Sequence, residues 1–171
     1  MDLHHGLLVS PLFAWLESTA FSVWVRESPS MFAFPGILTC HTIGMGVAAG
    51  INTALALRIL GVGPGIPIRE LPRFLSIMWF GFWLNAISGV ALLVAYPTKA
   101  FTNPDFYLKL ALIAVAVALV KPIRRRVSGV DLGSSIGTTL KLLAVTSIVC
   151  WFGAITAGRL LAYTYTRLLA R

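Results

Sequence analysis

The sequence has few charged residues. Only 12% of its 171 residues are Asp, Glu, Lys or Arg, whereas 57% are hydrophobic. A soluble domain carries about a quarter charged residues, so this composition excludes an ordinary soluble protein. It predicts an integral membrane protein whose first partner is the lipid bilayer.

Acidic residues are especially scarce, with 6 Asp and Glu against 14 Lys and Arg, which gives a net charge of +8. In a soluble protein this excess would favour nucleic-acid binding. Here the basic residues lie mainly between apolar runs, where they set membrane topology and attract anionic lipid. No nucleic-acid-binding motif is present, and no nucleic-acid partner is expected.

Catalytic and metal-binding motifs are also lacking. The two cysteines, Cys40 and Cys150, fall within apolar runs without zinc-type spacing, so both are expected to be small buried side chains. The sequence contains no Ser-His-Asp arrangement, Gly-rich phosphate loop or carboxylate pair. A hydrolytic or phosphoryl-transfer enzyme is therefore not expected, and a redox or accessory subunit is favoured over a self-sufficient enzyme.

What the sequence does contain is long apolar runs. Crossing a bilayer takes roughly 20 apolar residues, and such runs predict membrane-spanning helices at 34–60, 74–96, 105–122 and 139–166. The run 11–25 is too short to span and contains Glu17, so it is expected to lie in the interface. The predicted fold is an all-α membrane four-helix bundle at 31–171, preceded by an N-terminal segment at 1–30 with this amphipathic helix.

The basic residues predict the orientation of the spans. Eight of them fall in one set of loops and five on the other side, and the richer side is expected to be cytoplasmic. The eight are Arg58, Arg69, Arg73, Lys121, Arg124, Arg125, Arg126 and Lys141, against Arg26, Lys99, Lys109, Arg167 and Arg171. Both termini then face outward, which means the periplasm for a bacterial inner-membrane protein.

Small residues recur at spacings of four within the spans. Gly46 and Gly50 form a G-x-x-x-G pair, and Ala154 and Gly158 repeat the spacing in the last span. Such pairs mark close helix approach. They serve a bundle and a homo-oligomer interface equally well, so both interpretations stay open.

Ionisable residues inside spans are costly and point to function. Here they are His41, Lys109 near the end of the third span, and Arg159. At 1.5 Å per residue, His41 lies roughly 9 Å inside the outer leaflet. Asn85 and Ser88 bring polarity from the second span. All four spans are therefore expected to place polar groups in the outer half of the bundle.

One hypothesis for this cluster is a haem b site, because a four-helix membrane bundle with an imidazole ligand is a common setting for haem. His41 would ligate the iron, and it is also the one metal ligand proposed. The other expected cofactor-binding residues are Arg159 and Lys109 for the propionates, Gly44 for close approach of the macrocycle, and Trp83 and Trp151 as lining.

The second axial ligand is an open question, since only one of the three histidines lies within a span. The options are Met45, His4 or His5 folding back, His41 of a second copy of the chain, or no ligand. Met45 is a poor option, because it lies on the same helix four residues from His41, whereas axial ligands approach from opposite faces.

Three other interpretations remain open. Copper is suggested by Cys40, His41, Met45 and Cys150, although Cys40 and His41 diverge by about 100° around a helix. A quinone or lipid head group is suggested by hydrogen bonding from His41 and Arg159. In the last interpretation no cofactor is bound, and nearby polar groups satisfy His41 and Arg159; these are Thr39, Asn85, Thr156 and backbone carbonyls.

Several motifs carry a resemblance over roughly residues 37–121. They are His41-x-x-Gly44, Leu57-Arg58-Ile59-Leu60-Gly61, Trp79-x-Gly81-Phe82, Ser88-Gly89 and Asn103-Pro104-x-Phe106-x-x-Lys109. In these the chain resembles a family of small, uncharacterised bacterial inner-membrane proteins. It is more distantly similar to the membrane domain of copper-resistance D proteins and to four-helix b-type cytochromes.

The resemblance implies a four-helix bundle and a haem or metal role. The chain differs from bis-histidine cytochromes because no other predicted span contains a histidine. The expected function is a haem-binding electron-transfer or anchor subunit with haem in the periplasmic-side leaflet. Its expected redox partner is a periplasmic c-type cytochrome or dehydrogenase. The alternative is a cofactor-free accessory subunit, or a protein that binds copper, quinone or lipid.

Overall fold

The chain is helical throughout the part that the structure describes. The computed structural model describes residues 11–65, 67–129 and 136–169; 86% of what it describes is helix, and none of the described residues forms a strand. The helices are α1 (Pro11–Ser18), α2 (Ala20–Glu27), α3 (Phe34–Ile59), a 3₁₀ helix (Ile68–Phe74), α4 (Leu75–Ala95), α5 (Pro97–Phe101), α6 (Pro104–Ser128) and α7 (Thr138–Leu169). Four of them, α3, α4, α6 and α7, are long and apolar enough to cross a membrane, which supports a multi-pass membrane protein.

The first two predicted spans are confirmed to within about a residue at each end. Helix α3 carries Pro35 in its first turn and ends just before Gly61, whose φ of 103° is a conformation that L-residues rarely adopt. Helix α4 ends before Pro97. Prolines and glycines therefore marked these boundaries correctly.

The predicted end of the third span at 122 is wrong, because α6 continues to Ser128 with Pro122 inside the helix. Proline removes one backbone hydrogen bond and usually ends a helix. Here the following turns carry Ile123 and Val127, which are buried in a core cluster with Ile59 and Ala144. Burial of these side chains offsets the lost hydrogen bond.

The single helix predicted at 11–25 is also wrong, because the segment forms two helices, α1 and α2. The break is at Thr19, whose backbone is extended and whose hydroxyl accepts a hydrogen bond from the Ser22 amide. This is an N-cap, which satisfies an amide at the start of α2. The position of these helices in the interface and the division at residue 30 stay predictions, and His4 and His5 lie outside the described residues.

Helix α2 is attached to the C-terminal end of α4. The Arg26 guanidinium donates to the Ala95 carbonyl at 2.9 Å and to the Glu17 carbonyl at 2.6 Å. The buried Ser22 hydroxyl lies 2.9 Å from the Val94 carbonyl. The last carbonyls of a helix lack intrahelical donors and carry partial negative charge, so Arg26 stabilises the end of α4.

Among the long helices, α3 packs most extensively on α4, α6 packs on α7, and α3 also contacts α7. Helices α4 and α6 make little direct contact with each other in the described part of the chain. The structure therefore consists of two helix pairs, α3–α4 and α6–α7, joined mainly through α3 and α7.

Candidate functional site

His41 on α3 makes its closest polar contacts with α4. Its Nδ1 lies 3.0 Å from the backbone oxygen of Asn85 and 3.3 Å from the Ser88 Oγ. A carbonyl oxygen can only accept a hydrogen bond, so Nδ1 donates the proton. The other ring nitrogen, Nε2, is then the one that presents a lone pair.

The Nε2 lone pair faces a cation from α6. The Lys109 Nζ lies 3.4 Å from His41 Nε2, and an ammonium can only donate. Within the described part of the chain, this is the one polar contact of the Lys109 side chain. Helix α7 contributes Gly158, where a Cβ would lie 3.6 Å from the Lys109 side chain.

Glycines allow α3 and α4 to approach closely around the imidazole. A Cβ at Gly44 would lie 2.5 Å from the backbone nitrogen of Asn85 and 2.7 Å from the backbone oxygen of Gly81. A Cβ at Gly89 would lie 3.0 Å from the His41 Cε1. The Asn85 side-chain amide donates to the His41 backbone oxygen at 2.7 Å, so α3 and α4 are hydrogen-bonded as well as close.

We refer to His41, Asn85, Ser88 and Lys109 as the His41–Lys109 cluster. His41 and Lys109 are half-buried, whereas Ser88 is almost fully buried. His41 is seven residues from the start of α3 and Lys109 is five residues from the start of α6. At 1.5 Å per residue, His41 lies about 10 Å and Lys109 about 8 Å inside the ends of their helices; their depth in a membrane stays a prediction.

The six predicted site residues are only partly brought together. Lys109 contacts His41, and Gly44 lies one turn from His41 but faces the α4 backbone. Trp83 is 59% exposed, and Arg159 is exposed on α7 beside Gly158. The described structure shows no hydrogen bond or ion pair between Arg159 and the cluster.

Trp151 lies in the interior, in a layer that includes Ala48, Ala49 and Ala116. It is 3% exposed, and its indole N–H has no hydrogen-bond partner among the described residues. It makes no described polar contact with His41. The side chain therefore fills the core between α3, α6 and α7.

The two cysteine side chains differ in their exposure. Cys150 is buried on α7, as expected, but the expectation of a buried Cys40 is wrong, because Cys40 is exposed on α3; both are free. Within the described ranges, no group of three or more His, Cys, Asp or Glu residues is arranged to hold a metal ion. The copper hypothesis gains no support from this geometry.

The sequence drew attention to Asn85 and Ser88 but not to the roles of Gly89 and Gly158. Gly89 belongs to the series Gly81, Asn85 and Gly89, spaced by four residues. That spacing is the signal that places all three on one face of α4. The spacing of Gly158 predicts a packing residue, and its position beside the Lys109 side chain depends on the rotation of α7, which the sequence does not define.

No family model, curated protein or solved structure matches this chain. The resemblance to uncharacterised bacterial inner-membrane proteins, to copper-resistance D domains and to b-type cytochromes therefore stays a prediction. Functional interpretation depends on the cluster itself.

Proposed function

We propose that the chain is a four-helix membrane subunit that binds a lipid-soluble carbonyl compound of the quinone class at the His41–Lys109 cluster. The site would lie in the outer leaflet of a bacterial inner membrane. The observation that carries this proposal is the half-buried Lys109 side chain, whose Nζ lies 3.4 Å from Nε2 of His41.

The chemistry of the pair suits an acceptor oxygen. An ammonium has three N–H donors, and one of them is directed at His41. The others can donate to a carbonyl oxygen, and a charged donor gives a stronger hydrogen bond in an apolar environment. The apolar tail of a quinone would remain among the lipids, and both side chains are exposed enough to be reached from there.

The imidazole keeps this donor in place. Its Nδ1 is fixed by Asn85 and Ser88 on α4, so Nε2 has a defined direction. Bound quinone would make the chain an anchor or electron-transfer subunit, with a periplasmic c-type cytochrome or dehydrogenase as its partner.

Haem b is the second candidate, favoured by the Nδ1 donor to the Asn85 carbonyl. Metal-ligating histidines usually donate their other N–H to a carbonyl or carboxylate. The other contacts do not fit a haem, because Lys109 faces Nε2 and the α4 backbone covers Gly44. Ligation would require Lys109 to leave Nε2 and pair with a propionate instead.

The test is a binding measurement on the full chain purified in mild detergent. A short-chain ubiquinone analogue is titrated while tryptophan fluorescence is followed. Lys109→Met keeps side-chain length without the charge and is expected to weaken binding about 10- to 100-fold, the value of a charged hydrogen bond. Lys141→Met, which removes an exposed cation of α7, is the matched control and should bind normally.

Absence of saturable binding, or equal affinity in Lys109→Met, would contradict the quinone proposal. The visible spectrum of the same preparation tests haem. A Soret band that is lost in His41→Ala would establish the second candidate in its place.

A further inference from the structure

A cleft separates α4 from α6 in the half of the molecule that is predicted to be cytoplasmic. Its volume is about 350 Å³, within the range of small-molecule sites, which begins at about 300 Å³. Leu75 and Trp79 line it from α4, and Val117 and Ala118 line it from α6. Because α4 and α6 are both candidate membrane spans, a cleft between them would be accessible to the acyl chains of a bilayer.

Two cationic side chains lie at one end of this apolar cleft. Lys121 and Arg124 lie one turn apart on α6, line the cleft and are exposed. Within the described part of the chain, neither side chain has a hydrogen bond or an ion pair. They lie 17 and 20 residues from the start of α6, or roughly 25–30 Å along it, the depth at which hydrocarbon gives way to head groups.

The floor of the cleft is closed by well-packed side chains. Val120 of α6 is buried with Leu75 and Met78 of α4 and with Leu55 of α3. This cluster packs α3, α4 and α6 together beneath the cleft.

We propose that this cleft binds one anionic phospholipid. An acyl chain would lie against Trp79 and Ala118, and the phosphate would be held by Lys121 and Arg124. Charge complementarity decides in favour of an anionic lipid over a zwitterionic one, because two cations without a partner among the described residues lie next to an apolar surface. The proposal is independent of the quinone site, which is at the opposite end of α6.

The experiment uses the full chain in phosphatidylcholine bilayers that contain brominated lipid, whose bromines quench nearby tryptophans. Brominated phosphatidylglycerol is expected to quench Trp79 at much lower mole fraction than brominated phosphatidylcholine. At about fivefold per cation, the preference should reach roughly 25-fold. Trp83, which is 59% exposed, faces bulk lipid and should be quenched equally by both; Trp79→Phe should remove the preference.

Paired variants separate the cleft from general surface charge. Lys121→Gln with Arg124→Gln should abolish the preference, whereas Arg125→Gln with Arg126→Gln should retain it. Both pairs remove two exposed charges from α6, but Arg125 and Arg126 do not line the cleft. Equal loss in the two pairs, or equal quenching by both lipids in the unmodified chain, would overturn the proposal.

A steric variant covers the case in which charge removal impairs folding. Ala118→Phe fills the cleft and leaves every charge in place. It should elute as the unmodified chain does in size-exclusion chromatography and lose the selective quenching of Trp79. Retained selectivity in a folded Ala118→Phe would also contradict the proposal.

Discussion

Gly44 and Gly46 are two residues apart, but they lie in different surroundings. Gly44 faces the backbone of α4, whereas a Cβ at Gly46 or Gly50 would meet no described atom within 4 Å. The G-x-x-x-G pattern therefore marks the outward face of α3, and Gly44 is the α3 glycine that lies against the α4 backbone. The outward pair still fits a homo-oligomer interface, which stays a prediction.

Gly44→Ala is expected to destabilise the protein by about 1–3 kcal/mol, because the new methyl group overlaps rigid backbone atoms. Gly46→Ala should be neutral or stabilising by up to about 1 kcal/mol, since alanine favours helix. Thermal unfolding in detergent, followed by circular dichroism, measures both. Equal destabilisation by the two substitutions would contradict the close approach at Gly44.

Asn85→Leu is expected to cost about 0.6–2 kcal/mol, the value of a hydrogen bond between membrane helices. The lost contact is the 2.7 Å hydrogen bond from the Asn85 amide to the His41 backbone oxygen. Thr42→Val is the control, because the Thr42 hydroxyl bonds only to the Leu38 carbonyl of its own helix. If Thr42→Val costs as much as Asn85→Leu in the same unfolding assay, the bond between α3 and α4 adds nothing to stability.

At the scale of single residues, the sequence predicted part of the site. Depth along a helix follows from counting residues, so the sequence could place His41 and Lys109 in the same half of the bundle, but it could not predict their contact. The rotation of a helix about its own axis is harder to predict, because a shift of one residue turns the face by about 100°. One such step separates Gly158, which faces the Lys109 side chain, from Arg159, which is exposed.

At the scale of elements, span boundaries were predictable where glycine or proline coincided with the end of apolar burial. Helix α6 shows the limit, since burial of Ile123 and Val127 carries it past Pro122. The 3₁₀ helix and α5 are short and have no apolar periodicity long enough to be recognised. The attachment of α2 to α4 is a long-range contact that sequence patterns do not reveal.

Arg26→Ala is expected to free α1 and α2 from the end of α4. The guanidinium donates to carbonyls of Ala95 and Glu17, and removing it should cost about 1–3 kcal/mol, as for hydrogen bonds from a charged group. Hydrogen–deuterium exchange in residues 11–27 measures the release. Exchange in the four long helices should change much less.

Arg73→Ala is the matched control for the exchange experiment with Arg26→Ala. Arg73 forms an ion pair with Glu70 at 2.7 Å, but its side chain is 80% exposed. Exposed pairs contribute about 0–1 kcal/mol, so exchange at 11–27 should stay unchanged. If residues 11–27 are as well protected from exchange in Arg26→Ala as in the unmodified chain, other contacts hold α2.

For the molecule as a whole, orientation in the membrane is the property to test. Basic residues are concentrated at the end of α6 that carries Lys121 and Arg124 to Arg126, and this end is expected to be cytoplasmic. In a chain with Cys40→Ala and Cys150→Ala, a membrane-impermeant maleimide on intact cells should label Thr102→Cys but not Ser128→Cys. Both sites are exposed in the structure, and the reverse labelling would invert the topology.

The contact between Lys109 and His41 also bears on the order of events during synthesis. The two residues are separated by 68 positions, and the whole of α4 lies between them. Chains emerge from the ribosome N-terminus first, so α3 and α4 can pair before α6 has been made. The cluster is therefore completed late in biogenesis, when the second helix pair joins the first, and a nascent chain that stalls before residue 109 presents His41 without its cation.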